Sequence, residues 1–208
     1  MNIQRKARNV FRALVQRYGS ERQKKRLWDD EYASGRWNYL DETGELSVHS
    51  TVEKYASNGS ILDLGCGSAT ASIELNPAVY STYTGVDISD VAVEKARARA
   101  QEAGRADQNE YCQSDILMYE PTRRYNIILF GDSIYYVPFR RISSMLKRYS
   151  QYLTAQGVFI ARLCDVSGTR GQIVDTIESH SKIIEKHVGG QMKTCIIVFR
   201  PLSEMQAS

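Results

Sequence analysis

The sequence lacks the run of roughly 20 apolar residues that a membrane-spanning helix needs. Its first residues, MNIQRKARNV, also lack the apolar stretch of a secretory signal. We find neither an internal repeat nor a low-complexity linker. These absences predict a cytoplasmic protein, and 208 residues suffice for one well-buried core with an extension.

Paired cysteines are absent as well. The four cysteines, Cys66, Cys112, Cys164 and Cys195, show no CxxC spacing, and each lies in or beside an apolar stretch. Zinc sites and dithiol redox sites use such pairs. We therefore expect buried, reduced thiols and no metal site.

Acidic residues are scarce at the N-terminus. Residues 1–26 contain nine lysines and arginines against Glu21 alone, so this arm carries +8 and leaves −5 for the remainder of a chain whose net charge is +3. Apolar residues recur in the arm at helical spacing, namely Ile3, Ala7, Val10, Phe11, Leu14, Val15 and Tyr18. This pattern predicts a basic amphipathic helix. Such a helix can pack on the domain or contact an anionic membrane surface, and nucleic acid is a less favoured partner.

After residue 47, strand-like and helix-like segments alternate almost to the end. The expected strands are 61–64, 83–86, 110–112, 125–130, 157–163, 182–186 and 194–199. The expected helices are 47–56, 89–103, 141–153 and 169–179. This βα order predicts a mostly parallel sheet with helices on both faces, and the Gly189-Gly190 turn predicts an antiparallel hairpin at one edge. We divide the chain into an extension, 1–46, and a domain, 47–208.

A glycine-rich turn follows the first predicted strand, in ILDLGCGSAT (61–70). Gly65 and Gly67 flank Cys66, and glycine lets a ligand approach the backbone closely. Asp63 precedes the turn, where its charge suits an ammonium or sulfonium group. The second strand ends at Asp87-Ile88, 20 residues beyond Gly67, where an acid typically binds a ribose hydroxyl.

A third acid follows the third predicted strand. Asp115 is placed to accept a hydrogen bond from the amine of an adenine, while the backbone N–H of Ile116 donates one. Open α/β sheets bind ligands over these strand ends. Position 70 is threonine instead of the third glycine that a dinucleotide fingerprint uses against a pyrophosphate. The pattern therefore favours S-adenosylmethionine, which has no phosphate, over NAD.

Four segments in order, ILDLGCGSAT, YTGVDIS, QSDI and YNIILFGDSIYYV, resemble the successive motifs of class I, Rossmann-like S-adenosylmethionine-dependent methyltransferases of the small-molecule type. The resemblance implies a doubly wound α/β fold. Its seven-stranded sheet would have the order 3-2-1-4-5-7-6, with the last strand antiparallel. It also implies that Gly65 and Gly67 lie under the methionine part of the cofactor, Asp87 at the ribose, and Asp115 with Ile116 at the adenine.

The segment 27–42 also resembles the N-terminal lid of many small-molecule members. It carries four aromatic residues, Trp28, Tyr32, Trp37 and Tyr39. Packing of these residues between an N-terminal helix and the core is the alternative interpretation.

The segment FGDSIYY (130–136) stands where members of this family present residues to the acceptor. Asp132 is the candidate catalytic group, as a base or as the electrostatic partner of a cationic amine. Tyr135 and Tyr136, with Trp37, are the candidate substrate-binding residues. The NPPY-like tetrapeptide of enzymes that methylate nucleic-acid bases is absent, and GDSIYY resembles the corresponding motif of nodulation N-methyltransferases acting on glycans.

Further candidates are His49, on the helix before the core, and Arg162, Asp165 and Arg170, after the fifth strand, which could bind an acidic acceptor. We expect transfer of a methyl group from S-adenosylmethionine to an O or N atom of a small-molecule, sugar or lipid-linked acceptor. Two alternatives remain open. One is an RNA- or membrane-associated protein with a methyltransferase fold, and the other is an NAD-dependent oxidoreductase.

Overall fold

The strands assemble into one seven-stranded sheet of order β3-β2-β1-β4-β5-β7-β6 in the computed structural model, which describes residues 3–37, 47–190 and 193–202. For residues 3–9 and 17 only the backbone is described. The strands are β1 (Gly59–Leu64), β2 (Tyr80–Asp87), β3 (Asn109–Gln113), β4 (Tyr125–Gly131), β5 (Leu153–Leu163), β6 (Ser181–Gly189) and β7 (Thr194–Pro201). Among these strands, β7 runs antiparallel to both of its neighbours, β5 and β6, and the pairs from β3 to β5 are parallel. The predicted sheet order is confirmed, whereas Tyr39 and the division after residue 46 lie outside the described residues.

Helices cover both faces of the sheet, and two more precede it. They are α1 (Ile3–Tyr18), α2 (Glu21–Ala33), α3 (His49–Ala56), α4 (Thr70–Glu74), α5 (Asp90–Glu102), α6 (Ile142–Ser150) and α7 (Thr169–His180). None of the helices in the described ranges is long and apolar enough to cross a membrane.

The apolar run of β4 is buried on both faces, as its sequence indicated. Ile128 and Phe130 pack on one face, against residues of α6 and α7. Ile127 and Leu129 point to the other face, into the core that includes side chains of α3 and α5. Successive side chains of a strand point to opposite faces of the sheet, so a strand that is apolar throughout is typical of the middle of a sheet covered on both faces. Strand β4 indeed lies between β1 and β5.

The parallel registers bring three strand ends together. Leu64 of β1 pairs with Val86 of β2, and Asp63 pairs with Leu129 of β4. From β1 the chain adds strands first on one side of the sheet, β2 and β3, and then on the other, starting with β4. The crevice above the carboxyl ends of β1 and β4 is therefore the topological switch point, where open α/β sheets bind ligands.

One helix, α2, joins the end of the basic arm to the aromatic segment that begins at residue 27. Gly19 ends the first helix, where its N–H reaches the carbonyl of Val15. Ser20 then opens α2 with a capping box to Gln23. The last basic residues of the arm therefore share a helix with Trp28 and Tyr32.

Two predictions need correction. Helix α6 ends at Ser150, and β5 starts at Leu153, because Leu153 already pairs with Tyr125 ahead of a register shift. Cys66 and Cys195 are buried as expected, but Cys112 and Cys164 are only partly buried. Cys112 lies on the edge strand β3, and Cys164 directly follows β5, so neither is covered on all sides.

Candidate functional site

A cavity of about 660 Å³ lies at the carboxyl ends of β1, β2 and β4, beneath α2. Its volume is in the range of small-molecule sites. The structure brings all twelve predicted site residues to its lining: Trp37, Asp63, Gly65, Cys66, Gly67, Asp87, Ile88, Asp115, Ile116, Asp132, Tyr135 and Tyr136.

The glycine turn takes a conformation that other residues resist. Gly65 and Gly67 have φ of +87° and +55°. A Cβ on Gly65 would collide with Ser133, and one on Gly67 would lie 2.5 Å from the hydroxyl of Tyr32. Both glycines are therefore required by backbone conformation and by close neighbours at once.

Asp87 holds this turn from the neighbouring strand. Its Oδ2 accepts a hydrogen bond from the N–H of Gly67 at 2.9 Å, and its Oδ1 accepts one from the N–H of Ser89 at 3.0 Å. Burial raises the pKa of Asp87 to about 6 in spite of these bonds. The carboxylate thus shapes the loop as well as lining the cavity.

Asp63 lines the cavity with one oxygen hydrogen-bonded and the other without a partner in the part of the chain that the structure describes. Its Oδ2 accepts a hydrogen bond of 2.5 Å from the hydroxyl of Tyr83. Its Oδ1 is buried without a hydrogen-bond partner among the described residues. Burial, with the nearby charge of Asp87, raises the pKa of Asp63 to about 7. A cationic group in the cavity would satisfy this oxygen and favour the ionised carboxylate.

The loop after β3 forms another wall of the cavity. Asp115 accepts a hydrogen bond from the N–H of Leu117 at 2.7 Å. The carbonyl of Ile116 accepts one from the hydroxyl of Tyr149 at 2.6 Å and another from Arg148 at 2.8 Å. These bonds fix the backbone of the segment expected at the adenine.

Aromatic residues of α2 and its C-terminal extension cover the cavity. The ring of Trp28 stands edge-on to Tyr136 at 4.8 Å between centroids and lies 5.7 Å from the ring of Trp37. The indole N–H of Trp37 donates to Glu31 at 3.1 Å. Such rings exclude water from the space below them.

Polar bonds tie the same helix to α5. The hydroxyl of Ser89 donates to Asp29 at 2.7 Å, and Lys95 donates to the carbonyl of Tyr32 at 2.6 Å. The segment expected to be a lid is therefore attached to the domain beside Asp87.

At the acceptor end, Asp132 is held by two donors. Its Oδ2 forms an ion pair with Arg162, and its Oδ1 accepts a hydrogen bond from the N–H of Cys164 at 2.8 Å. Its backbone has φ of +58°, in the left-handed region. Such a backbone in a non-glycine residue is often found at functional sites.

The two predicted tyrosines pack against each other at this end, with their rings tilted by 58°. Their ring centroids are 4.7 Å apart, and the guanidinium of Arg170 lies 4.2 Å from the centroid of Tyr135. Burial raises the pKa of both Tyr135 and Tyr136, so both hydroxyls stay protonated near neutral pH. Arg170 also faces Asp165 at 3.7 Å. These two charges are thus paired with each other beside the cavity.

His49 lines the same cavity. The sequence had left its position relative to the site undecided. Its Nδ1 lies 2.8 Å from Glu74 and 2.7 Å from the hydroxyl of Ser47. Burial lowers the pKa of His49, and the positive charge of Arg162 lowers it further, against the opposing effect of Glu74. The imidazole is therefore neutral at neutral pH.

Sequence reasoning assigned no role to two residues that shape the cavity. Ser133 lies inside the FGDSIYY segment, whereas Arg12 has no distinctive local motif. Ser133 donates from its hydroxyl to the carbonyl of Leu64 and supports Gly65. Arg12 reaches the cavity from α1 and forms an ion pair of 2.6 Å with Glu31. Only the turn of the chain between α1 and α2 brings it there.

Comparison with known proteins adds a family to this geometry. A family profile described as a methyltransferase domain matches residues 56–198. The 27-O-demethylrifamycin SV methyltransferase of Amycolatopsis mediterranei is 27% identical over 122 residues, which are 55% of this chain and 44% of that protein. The chain spans less than half the length of the curated relatives it matches.

Solved structures share the fold at low sequence identity. The N-methyltransferase NodS from Bradyrhizobium japonicum, in complex with S-adenosyl-L-homocysteine, superposes with a TM-score of 0.68 at 16% identity. The match covers 85% of this chain and 97% of NodS. The [4+2]-cyclase SpnF gives a TM-score of 0.70 at 12% identity over 88% of this chain and 97% of its own.

Proposed function

Because the chain belongs to the methyltransferase-domain family, we propose that it transfers the methyl group of S-adenosylmethionine to an O or N atom of a small-molecule, sugar or lipid-linked acceptor. The fold by itself does not select this reaction, since SpnF is a cyclase with the same architecture. The proposal therefore depends on the chemistry of the cavity.

The observation that supports the proposal is that Asp63 lines the cavity and that its buried Oδ1 has no hydrogen-bond partner among the described residues. An ammonium group is the natural partner of a buried carboxylate oxygen. In our assignment Asp63 binds the amino group of the methionine part, and the turn from Gly65 to Gly67 lies beneath that part. Asp87 binds the ribose, and Asp115 with Ile116 binds the adenine.

The short helix after the turn also supports S-adenosylmethionine over NAD. Helix α4 spans only Thr70–Glu74, which leaves little helix dipole to stabilise a pyrophosphate. When bound, S-adenosylmethionine supplies an electrophilic methyl group on a sulfonium centre. The chain's own task is then to align the acceptor and exclude water.

For the acceptor end, we assign Asp132 to binding and orientation of the acceptor, as the electrostatic partner of a polar or cationic group. Arg162 and the N–H of Cys164 already engage its two oxygens. With both oxygens engaged, the carboxylate is better suited to orient an acceptor than to act as a base. Tyr135, Tyr136 and Trp37 form the aromatic walls for the acceptor in this assignment.

Calorimetric titration with S-adenosylhomocysteine and with NADH tests the cofactor assignment. We expect tight binding of S-adenosylhomocysteine and none of NADH. The variant Asp87→Ala should bind S-adenosylhomocysteine about 1–3 kcal/mol more weakly, because a buried hydrogen-bond partner is lost. The exposed Asp107→Ala serves as the control and should bind like the wild type. Binding of NADH alone, or an unchanged affinity in Asp87→Ala, would overturn the assignment.

Methyl transfer itself is tested with methyl-tritiated S-adenosylmethionine and fractionated cell extract. The proposal requires label in the small-molecule, glycan or lipid fraction. Label confined to the RNA fraction would replace it with the alternative of an RNA-associated enzyme.

A further inference from the structure

Four apolar side chains of helix α1 are exposed. Val10, Phe11, Leu14 and Tyr18 follow one another at the spacing of one helix face and are 60%, 64%, 52% and 72% exposed. A helix that packs on its own domain normally buries this stripe. Of the two arrangements that the sequence left open, the exposure of these four residues does not fit packing of α1 on the domain through this face.

The opposite side of α1 faces the lid. Arg12 is two positions from Val10 and Leu14, and its side chain is only 20% exposed. Its guanidinium lies 5.7 Å from the ring centroid of Trp28 and 5.2 Å from that of Trp37. The helix is thus anchored through a charged residue, and Val10, Phe11 and Leu14 stay exposed on its other side.

The charge of the arm indicates which partner fits this stripe. Residues 1–26 carry +8, whereas the rest of the chain carries −5. A basic helix with exposed aromatic and aliphatic side chains matches an anionic lipid surface, which offers negative headgroups and an apolar layer beneath them. RNA would satisfy the charge but not Val10 and Leu14. A second copy would cover the stripe but would bring two arms of +8 together.

We propose that α1 docks on an anionic lipid surface. In this arrangement Val10, Phe11, Leu14 and Tyr18 enter the boundary between headgroups and acyl chains. The net positive charge of the arm holds the protein at the surface. Because Arg12 of the same helix lines the cavity, α1 then lies between the lipid and the lid. The docking does not depend on the proposed methyl transfer.

Vesicle co-sedimentation of the full chain tests this proposal. The probes are vesicles of phosphatidylcholine alone and of an equal mixture of phosphatidylcholine and phosphatidylglycerol. We expect sedimentation with the mixed vesicles only. The double variant Phe11→Gln/Leu14→Gln keeps the charge and a good helix former at each site, and it should lower the partition coefficient at least about tenfold.

A matched control replaces two exposed apolar residues outside α1 by glutamine. Met118 and Val188 are 66% and 56% exposed and lie outside α1, so Met118→Gln/Val188→Gln should sediment like the wild type. Titration with S-adenosylhomocysteine should give wild-type affinity for both double variants. That result shows that the fold is intact and separates this test from that of the proposed function.

Several outcomes would overturn the proposal. One is a wild type that stays in the supernatant with both vesicles. Another is a Phe11→Gln/Leu14→Gln variant that sediments as well as the wild type, which would leave charge alone as the cause. Light scattering that shows a wild-type dimer and a monomeric Phe11→Gln/Leu14→Gln variant would assign the stripe to a second copy. Salt-sensitive binding of a polyuridine RNA without vesicle binding would assign the arm to nucleic acid.

Discussion

The substitution Asp63→Asn should make the ligand-free protein more stable and its ligand binding weaker. The change keeps the size of the side chain, which is 2% exposed. It also keeps an oxygen that can accept the hydrogen bond from Tyr83. What it removes is the ability of this buried group to carry a negative charge.

The stabilisation follows from the raised pKa of Asp63. The unfolded carboxyl titrates near 3.8 and the folded one at about 7, so between these values the native state binds more protons than the unfolded state. The free energy of unfolding of the wild type therefore falls as pH rises through this window, by on the order of 2–4 kcal/mol in total. The Asp63→Asn variant does not lose this stability, because asparagine does not titrate. The variant's advantage should be complete above pH 7 and absent below pH 4.

The weaker binding follows from the partnerless Oδ1. An ionised Asp63 that receives an ammonium group gains a charge-assisted hydrogen bond worth about 1.5–3 kcal/mol. Its loss in Asp63→Asn should raise the Kd for S-adenosylhomocysteine about 10- to 150-fold at pH 8. At pH 5 the wild type should approach the variant, because its own Asp63 is then protonated.

Thermal unfolding and calorimetric titration at pH 5 and pH 8 measure both effects. We expect Tm to rise by about 5–10 °C at pH 8 for a protein of this size, with a smaller rise at pH 5. The exposed Asp107→Asn is the matched control and should change neither quantity. A lower Tm at pH 8, or an unchanged Kd at that pH, would refute the placement of a buried, cation-binding carboxylate at Asp63.

The two remaining predictions concern the turn and the histidine. Gly67→Ala should destabilise the protein by about 1–3 kcal/mol and weaken S-adenosylhomocysteine binding, because the new Cβ meets both a positive φ and the hydroxyl of Tyr32. Gly104→Ala, with φ of +66° and nothing within 4 Å, should cost about 1 kcal/mol and leave binding unchanged; equal affinities for the two variants would contradict the contact. In Glu74→Gln, the pKa of His49, followed by ring proton shifts in NMR, should fall below its wild-type value, since Glu74 raises it. A rise would show that the carboxylate does not face the imidazole.

The alternation of strands and helices could be predicted because its signals are local, whereas the full sheet order was implied by the family resemblance. The continuous apolar run of β4 indicated a central strand, and the Gly189-Gly190 turn indicated the antiparallel edge. The glycine turn and the acids at strand ends could be found because each follows a strand, and parallel strands place their ends at one edge of the sheet. All twelve predicted site residues consequently line one cavity.

Contacts between segments distant in the sequence could not be predicted, because they depend on how the helices and strands pack against each other. The pairing of Asp132 with Arg162 joins the ends of two neighbouring strands, and it changed our assignment of Asp132 from a possible base to an orienting group. The proximity of Glu74 to His49 likewise required α3 and α4 to be in place.

The N-terminal arm shows most clearly which features follow from the sequence and which depend on the tertiary structure. The sequence alone determined that α1 is a basic amphipathic helix, because apolar spacing and charge are properties of the residues. The tertiary structure decided which way that helix faces. The capping box at Ser20 turns the chain into α2, and the rings of Trp28 and Trp37 offer their π faces to Arg12. Arg12 is therefore held against the lid, and Val10, Phe11 and Leu14 on the other side of α1 are left exposed.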